Sequence, residues 1–300
     1  MSNPNSTLAL LMRPLARRAP RFAVIVLLAS IALAGCNKDY TAFALTSTGN
    51  IIEFATNKPS DLNNQVTVTG LTGSETLVQI AYSPNGPLTS SDTSVLYAVT
   101  SSNELCQVDP LGGVVSSCFT AFTTDVLSNV AASFDPVSGY LRIIANDSSS
   151  STGRVNILID PSTGQLASGQ PISYDLGYSD GTSGTPQINA LAYNNAIEGA
   201  DSSTLYALDV NSQKLDRIGD TNATSTTSVS EGDVYSIGTV GTSFTSSIGF
   251  AIAPQDGTAY AALGGAASLY TIDLSSGLAT LVGAIDTANF TVISLVISPQ

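Results

Sequence analysis

The sequence predicts an all-β fold: a β-propeller of five four-stranded blades, closed by pairing of the C-terminal strand with the N-terminal blade. Three observations carry this. A strand–turn–strand pattern recurs with a period of roughly 40–55 residues, the spacing of repeat architectures. Ser, Thr, Gly and Asn are abundant while charged residues make up only 11% of the 300-residue chain, a composition suited to strands joined by turns. The two ends of the chain hold complementary fractions of one repeat.

The repeat is clearest in three places. One unit runs LVQIAYSP (77–84), VLYAVTS (95–101), ELCQVDPLGG (104–113) and VVSSCFT (114–120). A second runs VAASFDPVSG (130–139), YLRIIAN (140–146) and VNILIDPSTG (155–164), with a weaker strand near 170–174. A third runs SIGFAIAPQDG (247–257), TAYAALG (258–264), SLYTIDLSSG (268–277) and LATLVGAI (278–285). Region 187–240 opens the same way, with INALAYN, TLYALDV and KLDRIGD, and then carries a Thr/Ser-rich insertion at 220–230 that reads as a loop. The turns beginning at Asp109, Asp160 and Asp273 each end on a glycine. Asp can bond the backbone two residues on, and Gly can take a positive φ, so each turn reads as a hairpin. Repeated Asp loops could also suggest calcium, but one Asp per turn does not supply the several converging oxygens such a site needs.

Before the first full unit stand only three strands, TAFALTS (41–47), NIIEFAT (50–56) and QVTVTG (65–70). After the last stands one orphan, FTVISLVISP (290–299), which resembles the first strand of every other unit. Together they make one blade, and its closure protects edges that would otherwise invite aggregation. An irregular six-bladed ring using 220–245, or a β-sandwich, is the competing architecture.

The first 35 residues read as an export signal. Arg13, Arg17, Arg18 and Arg21 precede an apolar run from Phe22 to Leu33, followed by Leu33-Ala34-Gly35-Cys36. The apolar run is about a dozen residues, short of the ~20 that span a bilayer. Translation starting at Met12 instead of Met1 would give a more typical signal. The run ending at Cys36 resembles the lipobox of bacterial lipoproteins, which implies diacylation of Cys36 as the mature N-terminus. Residues 36–40 then form a lipidated linker and 41–300 one domain. Asn37 and Lys38 stand where an Asp would mark inner-membrane retention, so the resemblance implies an outer-membrane lipoprotein of a Gram-negative bacterium, facing the periplasm or the exterior.

Removing residues 1–35 leaves six basic and all 23 acidic residues, a formal charge of −17. Such a surface repels phosphates, so nucleic acid is not an expected partner. His and Trp are absent. This excludes histidine-based triads, histidine metal ligands and a histidine general base.

The mature chain also resembles a bacterial secreted family catalogued only as a domain of unknown function. The resemblance rests on AFALTSTGNIIEF, VTVTGLTGSETLVQIAYSP, VLYAVTSSNELCQVDP, FDPVSGYLRIIAND, IDPSTGQL and AYAALGGAASLYTIDLSSGLATLVG. It covers Ala42 to Ile285. The family's Gly-Asp pair and Thr-Pro segment correspond here to Ser179-Asp180 and Thr185-Pro186, with Ser in place of Gly. The resemblance implies fold and export but transfers no active site.

Candidate site residues are few. Cys106 and Cys118 flank one turn, and form either a cross-strand disulfide in an oxidising compartment or two free thiols. Asp175, Asp180 and Glu198 lie around a polar Gly-rich loop, and Glu231 and Asp233 beside the insertion. Arg142 lies on an apolar strand, where an unpaired buried charge would be costly. It is expected to pair with Asp135, Asp147 or Asp160, or else to bind an anion. The expected function is a non-enzymatic, lipid-anchored binding or scaffolding module for an envelope protein or glycan, without a resident cofactor. The rival is an envelope hydrolase or lyase using loop carboxylates, with calcium as its possible ion. Three or more carboxylates meeting at the channel mouth would favour the rival.

Cys36→Ser is expected to leave the chain unlipidated and to release the mature domain from membranes. Detergent-phase fractionation checks this: a variant retained in the membrane fraction at the wild-type level would count against a lipid anchor.

Overall fold

A computed structural model describes residues 38–84, 96–148, 153–169, 176–223, 229, 232–264, 267–286 and 290–299. The signal segment 1–35, Cys36, the 170–174 strand, Asp175 and Glu231 lie outside the described residues.

The strands group into five sheets arranged as a five-bladed β-propeller. The first blade contains β1 (Thr41–Thr46), β2 (Asn50–Ala55) and β3 (Lys58–Thr67). The second contains β4 (Leu77–Tyr82), β5 (Leu96–Thr100), β6 (Leu105–Val108) and β7 (Val115–Ser116). The third contains β8 (Leu127–Phe134), β9 (Leu141–Asp147), β10 (Arg154–Asp160) and β11 (Gln165–Leu166). The fourth contains β12 (Gly177–Tyr178), β13 (Ile188–Tyr193), β14 (Ser203–Asp209), β15 (Lys214–Ala223) and β16 (Asp233–Thr239). The fifth contains β17 (Gly249–Ile252), β18 (Ala259–Leu263), β19 (Ser268–Ile272) and β20 (Ala279–Ala284). The last strand, β21 (Val292–Ile297), belongs to the first blade.

Counted outward from the innermost strand, the first four strands of each blade pair antiparallel, and in the second to fifth blades these four follow chain order. The Asp turns work as their chemistry requires. The Oδ1 of Asp109, Asp160 and Asp273 accepts the N–H two residues on, from Leu111, Ser162 and Ser275, at 2.8–2.9 Å. These carboxylates are engaged in holding hairpins, which accounts for their recurrence.

Closure follows the expected route. β21 pairs antiparallel with β1, aligning Ala42 with Ile297 and Ala44 with Leu295, and becomes the innermost strand of the first blade. The innermost strands β21, β4, β8, β13 and β17 then touch in a ring. Side chains bridge several of these contacts. Ser294 Oγ accepts the N–H of Ile80 at 3.2 Å, and Ser133 Oγ accepts that of Tyr193 at 3.3 Å. Between β17 and β21 the approach is so close that a Cβ on Gly249 would stand 2.5 Å from the Cβ of Leu295. Only glycine fits there.

Between each pair of neighbouring blades lies one apolar cluster. One holds Phe43, Leu45, Ile51, Ile80 and Leu96 between the first and second blades. Another holds Ile144, Ile188, Leu191 and Ile218 between the third and fourth. The remaining three seams are filled in the same manner.

Among the described residues the outermost strand of the third blade is the short β11 at Gln165–Leu166, immediately after its Asp turn. One element departs from expectation. The fourth blade carries an additional outermost strand, β12, which pairs parallel with β16. β12 is two residues long and lacks hydrophobic alternation, so periodicity gave no sign of it.

Deleting 290–300 is expected to destabilise the whole domain. Val292, Leu295, Val296 and Ile297 are buried, and each such side chain contributes roughly 1.5–3 kcal/mol against a typical total of ~5–15 kcal/mol. Calorimetry should show a strongly lowered Tm or aggregation. Cooperative melting within a few degrees of the full-length protein would rule out closure by β21.

Candidate functional site

The five innermost strands run in the same direction around the channel, so its two ends differ. At the strands' C-terminal end the channel narrows to a cavity of about 70 Å³, lined largely by apolar groups such as Ala81, Ala132, Ala192 and Ile297. At the N-terminal end it opens into a mouth of about 420 Å³.

The wide mouth is shaped by β-bulges. Pairing skips Val78 in β4, Asn129 and Val130 in β8, Asn189 in β13 and Ile293 in β21. A bulge adds an unpaired residue and re-aims a side chain. Four of the five innermost strands are therefore interrupted at one level, and every skipped residue lines this cavity. Asn129 adopts φ 49° to do so. Between the bulges the rim is completed by Thr46, Thr48, Thr76, Ser246 and Ser247. Asn189 is only 5% exposed, and its Oδ1 has no hydrogen-bond partner. A buried acceptor left in this state costs about 1–3 kcal/mol. Among the described residues no Asp, Glu, Lys or Arg side chain lines either cavity. The surface of the mouth is hydroxyl, amide and aliphatic.

The family model described as a domain of unknown function (DUF4394) matches residues 50–295. The chain belongs to the DUF4394 family. The match runs from β2 into β21 and so takes in all five blades. No curated protein matches the chain. Among solved structures it is similar to Kuenenia stuttgartiensis hydrazine synthase, at 16% identity and a TM-score of 0.37, covering 76% of this chain and 51% of that one.

The sequence-predicted site residues of this DUF4394 chain are dispersed. Arg142 is fully buried on β9 between the third and fourth blades. Its Nε donates to Tyr193 Oη at 2.9 Å and its Nη1 to Asn156 Oδ1 at 2.6 Å, while Asn156 Nδ2 donates to the carbonyl of Val229 at 2.9 Å. Burial pushes the Tyr193 phenol up, opposed by the Arg142 charge beside it. Buried at the seam, Arg142 serves packing between blades and presents nothing to solvent. Asp135 and Asp160 accept the N–H groups of Val137 and Ser162 in their own turns.

Asp180 is exposed and follows β12. Its Oδ1 accepts the N–H of Thr182 at 2.9 Å and its Oδ2 that of Ser236 at 2.6 Å. Partial desolvation works to raise its pKa, but these N–H groups hold the carboxyl below its usual range. Asp233 accepts the Ser179 hydroxyl. Glu198 is exposed, and among the described residues no hydrogen bond joins it to Asp180. Asp180 and Asp233 fasten loops, and none of the three carboxylates lines the channel cavities.

Cys106 on β6 is buried, and Cys118 lies two residues beyond β7. Ser117 takes φ 50° and shifts the strand so that the two residues face each other, with a Cα–Cα separation of 4.0 Å and the sulfurs at bonding distance. The bulge therefore aligns the pair. The Glu104 carboxylate lies within 4.8 Å of both sulfurs, but sulfurs bonded to each other offer no thiolate to a metal.

Proposed function

We propose that the protein is a lipid-anchored envelope propeller that acts as a non-enzymatic binding module, and that its ligand enters the wide mouth of the channel. The observation that carries this reading is the set of bulges in four innermost strands, all turned into one uncharged cavity. Bulges at a barrel rim interrupt ladder pairing, and their concentration at one level is what a shaped site requires. A cavity of this size suits a small-molecule ligand or the end of a chain.

The lining argues for the ligand's chemistry. With no cation among the described residues of the rim, and with an acidic domain around it, an anion gains nothing there. Without a carboxylate, the mouth gives a metal ion no hard charged ligand. Hydroxyls, two asparagines and aliphatic patches from Val78, Val130 and Ile293 suit an uncharged, hydroxyl-rich molecule, a neutral glycan segment. The Asn189 Oδ1 would then accept a ligand hydroxyl. Among the described residues neither cavity is lined by a carboxylate, and the binding reading is the one this lining supports.

The envelope part of the reading rests on the lipobox-like run before Cys36. The facing Cys106 and Cys118 support it, because an oxidising compartment keeps such a pair closed as a disulfide. Mass spectrometry of the protein from envelopes, without reductant, should find the disulfide; two free thiols would remove this support.

Calorimetric titration tests the ligand class. The probes are an uncharged hexose tetrasaccharide, an uncharged N-acetylhexosamine tetrasaccharide and a tetragalacturonate. The wild type should bind an uncharged probe saturably and reject the anionic one. Asn189→Leu and the exposed rim change Ser246→Arg should each weaken binding about tenfold, the loss of one hydrogen bond or the blocking of the entrance. No binding to either uncharged probe, or binding indifferent to both substitutions, would overturn the proposal.

A further inference from the structure

The outer part of the fourth blade holds a buried group of acids that the channel mouth does not use. Tyr178 on β12 reaches under the edge of the sheet. Its Oη lies 2.5 Å from Asp209 Oδ2, 3.0 Å from Asp216 Oδ2 and 3.2 Å from Ser212 Oγ. Both aspartates are fully buried.

Counting hydrogens decides how these contacts are made. A phenol has one hydrogen and can donate it to one carboxylate. Asp209 is built as an acceptor: its Oδ1 already takes the N–H groups of Gln187, Asn211 and Ser212 at 3.1, 2.7 and 3.2 Å. The shorter contact, to Asp209 Oδ2, takes the phenolic hydrogen. The contact between Asp216 Oδ2 and the phenol oxygen is then attractive only if Asp216 supplies a hydrogen itself. The other oxygen of Asp216, Oδ1, is buried without a partner. That is tolerable for the carbonyl of a neutral acid and expensive for half of a carboxylate.

We propose that Asp216 is held as a neutral carboxylic acid donating to Tyr178, and that this proton latches β12 onto the outer edge of the fourth blade, so that the latch loosens as pH rises. β12 covers that edge by pairing Gly177 with Asp233 and Tyr178 with Val234, with the amides of Gly177 and Ser179 donating to the carbonyls of Gly232 and Val234. Tyr178 is the side chain that ties this short strand to the interior.

The surrounding charges agree. Burial pushes the Asp216 carboxyl up to about 7, helped by the charges of Asp209 and Asp180 and opposed by the neighbouring Tyr178 hydroxyl and by Lys214. On the neighbouring β16, Asp233 is bonded to Ser179 and the Tyr235 ring lies under Arg217. In an opened or unfolded chain Asp216 would titrate near ~3.9. Between that value and about 7 the latched form holds a proton that the open form has lost. The latch is therefore strongest below about pH 4, weakens roughly tenfold per pH unit up to about 7, and is constant above that.

Native-state hydrogen exchange of the full mature domain tests this, with rates corrected for the intrinsic pH dependence of exchange. Protection of the Gly177 and Ser179 amides should fall about tenfold per unit between pH 5 and 6.5 and level off above about 7. Asp216→Asn keeps a hydrogen for Tyr178 and loses the titration, so its protection should not vary with pH and should exceed wild type at pH 8. Tyr178→Phe should leave both amides poorly protected at every pH. Wild-type protection independent of pH would overturn the proposal without reference to any variant. So would an Asp216→Asn protein that is folded but unlatched at pH 5, since that result would mean a charge is needed at this position.

Discussion

The five innermost strands must touch one another, and most of the structure is arranged to let them. A ring of sheets has no internal support other than these contacts and the apolar seams behind them. That is why the tightest point, between β17 and β21, carries glycine at position 249 opposite Leu295. It is also why Ser294 and Ser133 bond across to neighbouring blades, giving buried hydroxyls a partner while fixing the spacing. The first blade depends on the constraint most, because its innermost strand comes from the other end of the chain. The first blade is not complete until the ring is, so its stability is tied to that of the whole ring.

The same constraint sets where a binding surface can form. Strands packed around an axis leave little room along it, and the narrow end shows the result in its small apolar residues. Space appears only where pairing is relaxed. At the wide end the bulges relax it in four strands together, and the residues released are those that face the opening. The repeated aspartates are spent on hairpins. In the fourth blade Asp180 is likewise tied to backbone amides and Asp233 to a serine hydroxyl, and among the described residues no charged side chain lines the mouth.

The parts of this architecture that were readable in the sequence are those written in local chemistry. Asp109, Asp160 and Asp273, each followed by a glycine at the end of its turn, mark hairpins because the turn needs those two residue types. The apolar alternation of 292–297 marks a buried strand. The short strand count at the N-terminus marks where that strand belongs. The mouth was not readable, because a bulge is a mismatch between two strands and neither strand carries it alone. Asn189 sits in an apolar run and looks like an interruption; only its position against Asp209 and Leu208 shows that it is skipped. Arg142 stood out correctly as a buried charge, while its bonds to Tyr193 and Asn156 run to other strands and leave no mark on its own. β12 was invisible for a different reason: two residues in parallel pairing leave no periodic trace.

The attachment at Lys38, just ahead of the first blade, gives the ring a direction. Lys38 pairs with Asp256 in the turn between β17 and β18, and its carbonyl accepts the Thr56 hydroxyl at 2.7 Å. That turn lies where the innermost strands finish, at the narrow end. Cys36 precedes Lys38 by two positions in the sequence. If Cys36 is acylated, the leash is too short to let the domain turn over. The narrow face would rest toward the bilayer and the wide mouth would look into the aqueous space. Whatever enters the mouth would then arrive from solution, and the lipid surface itself would be out of its reach.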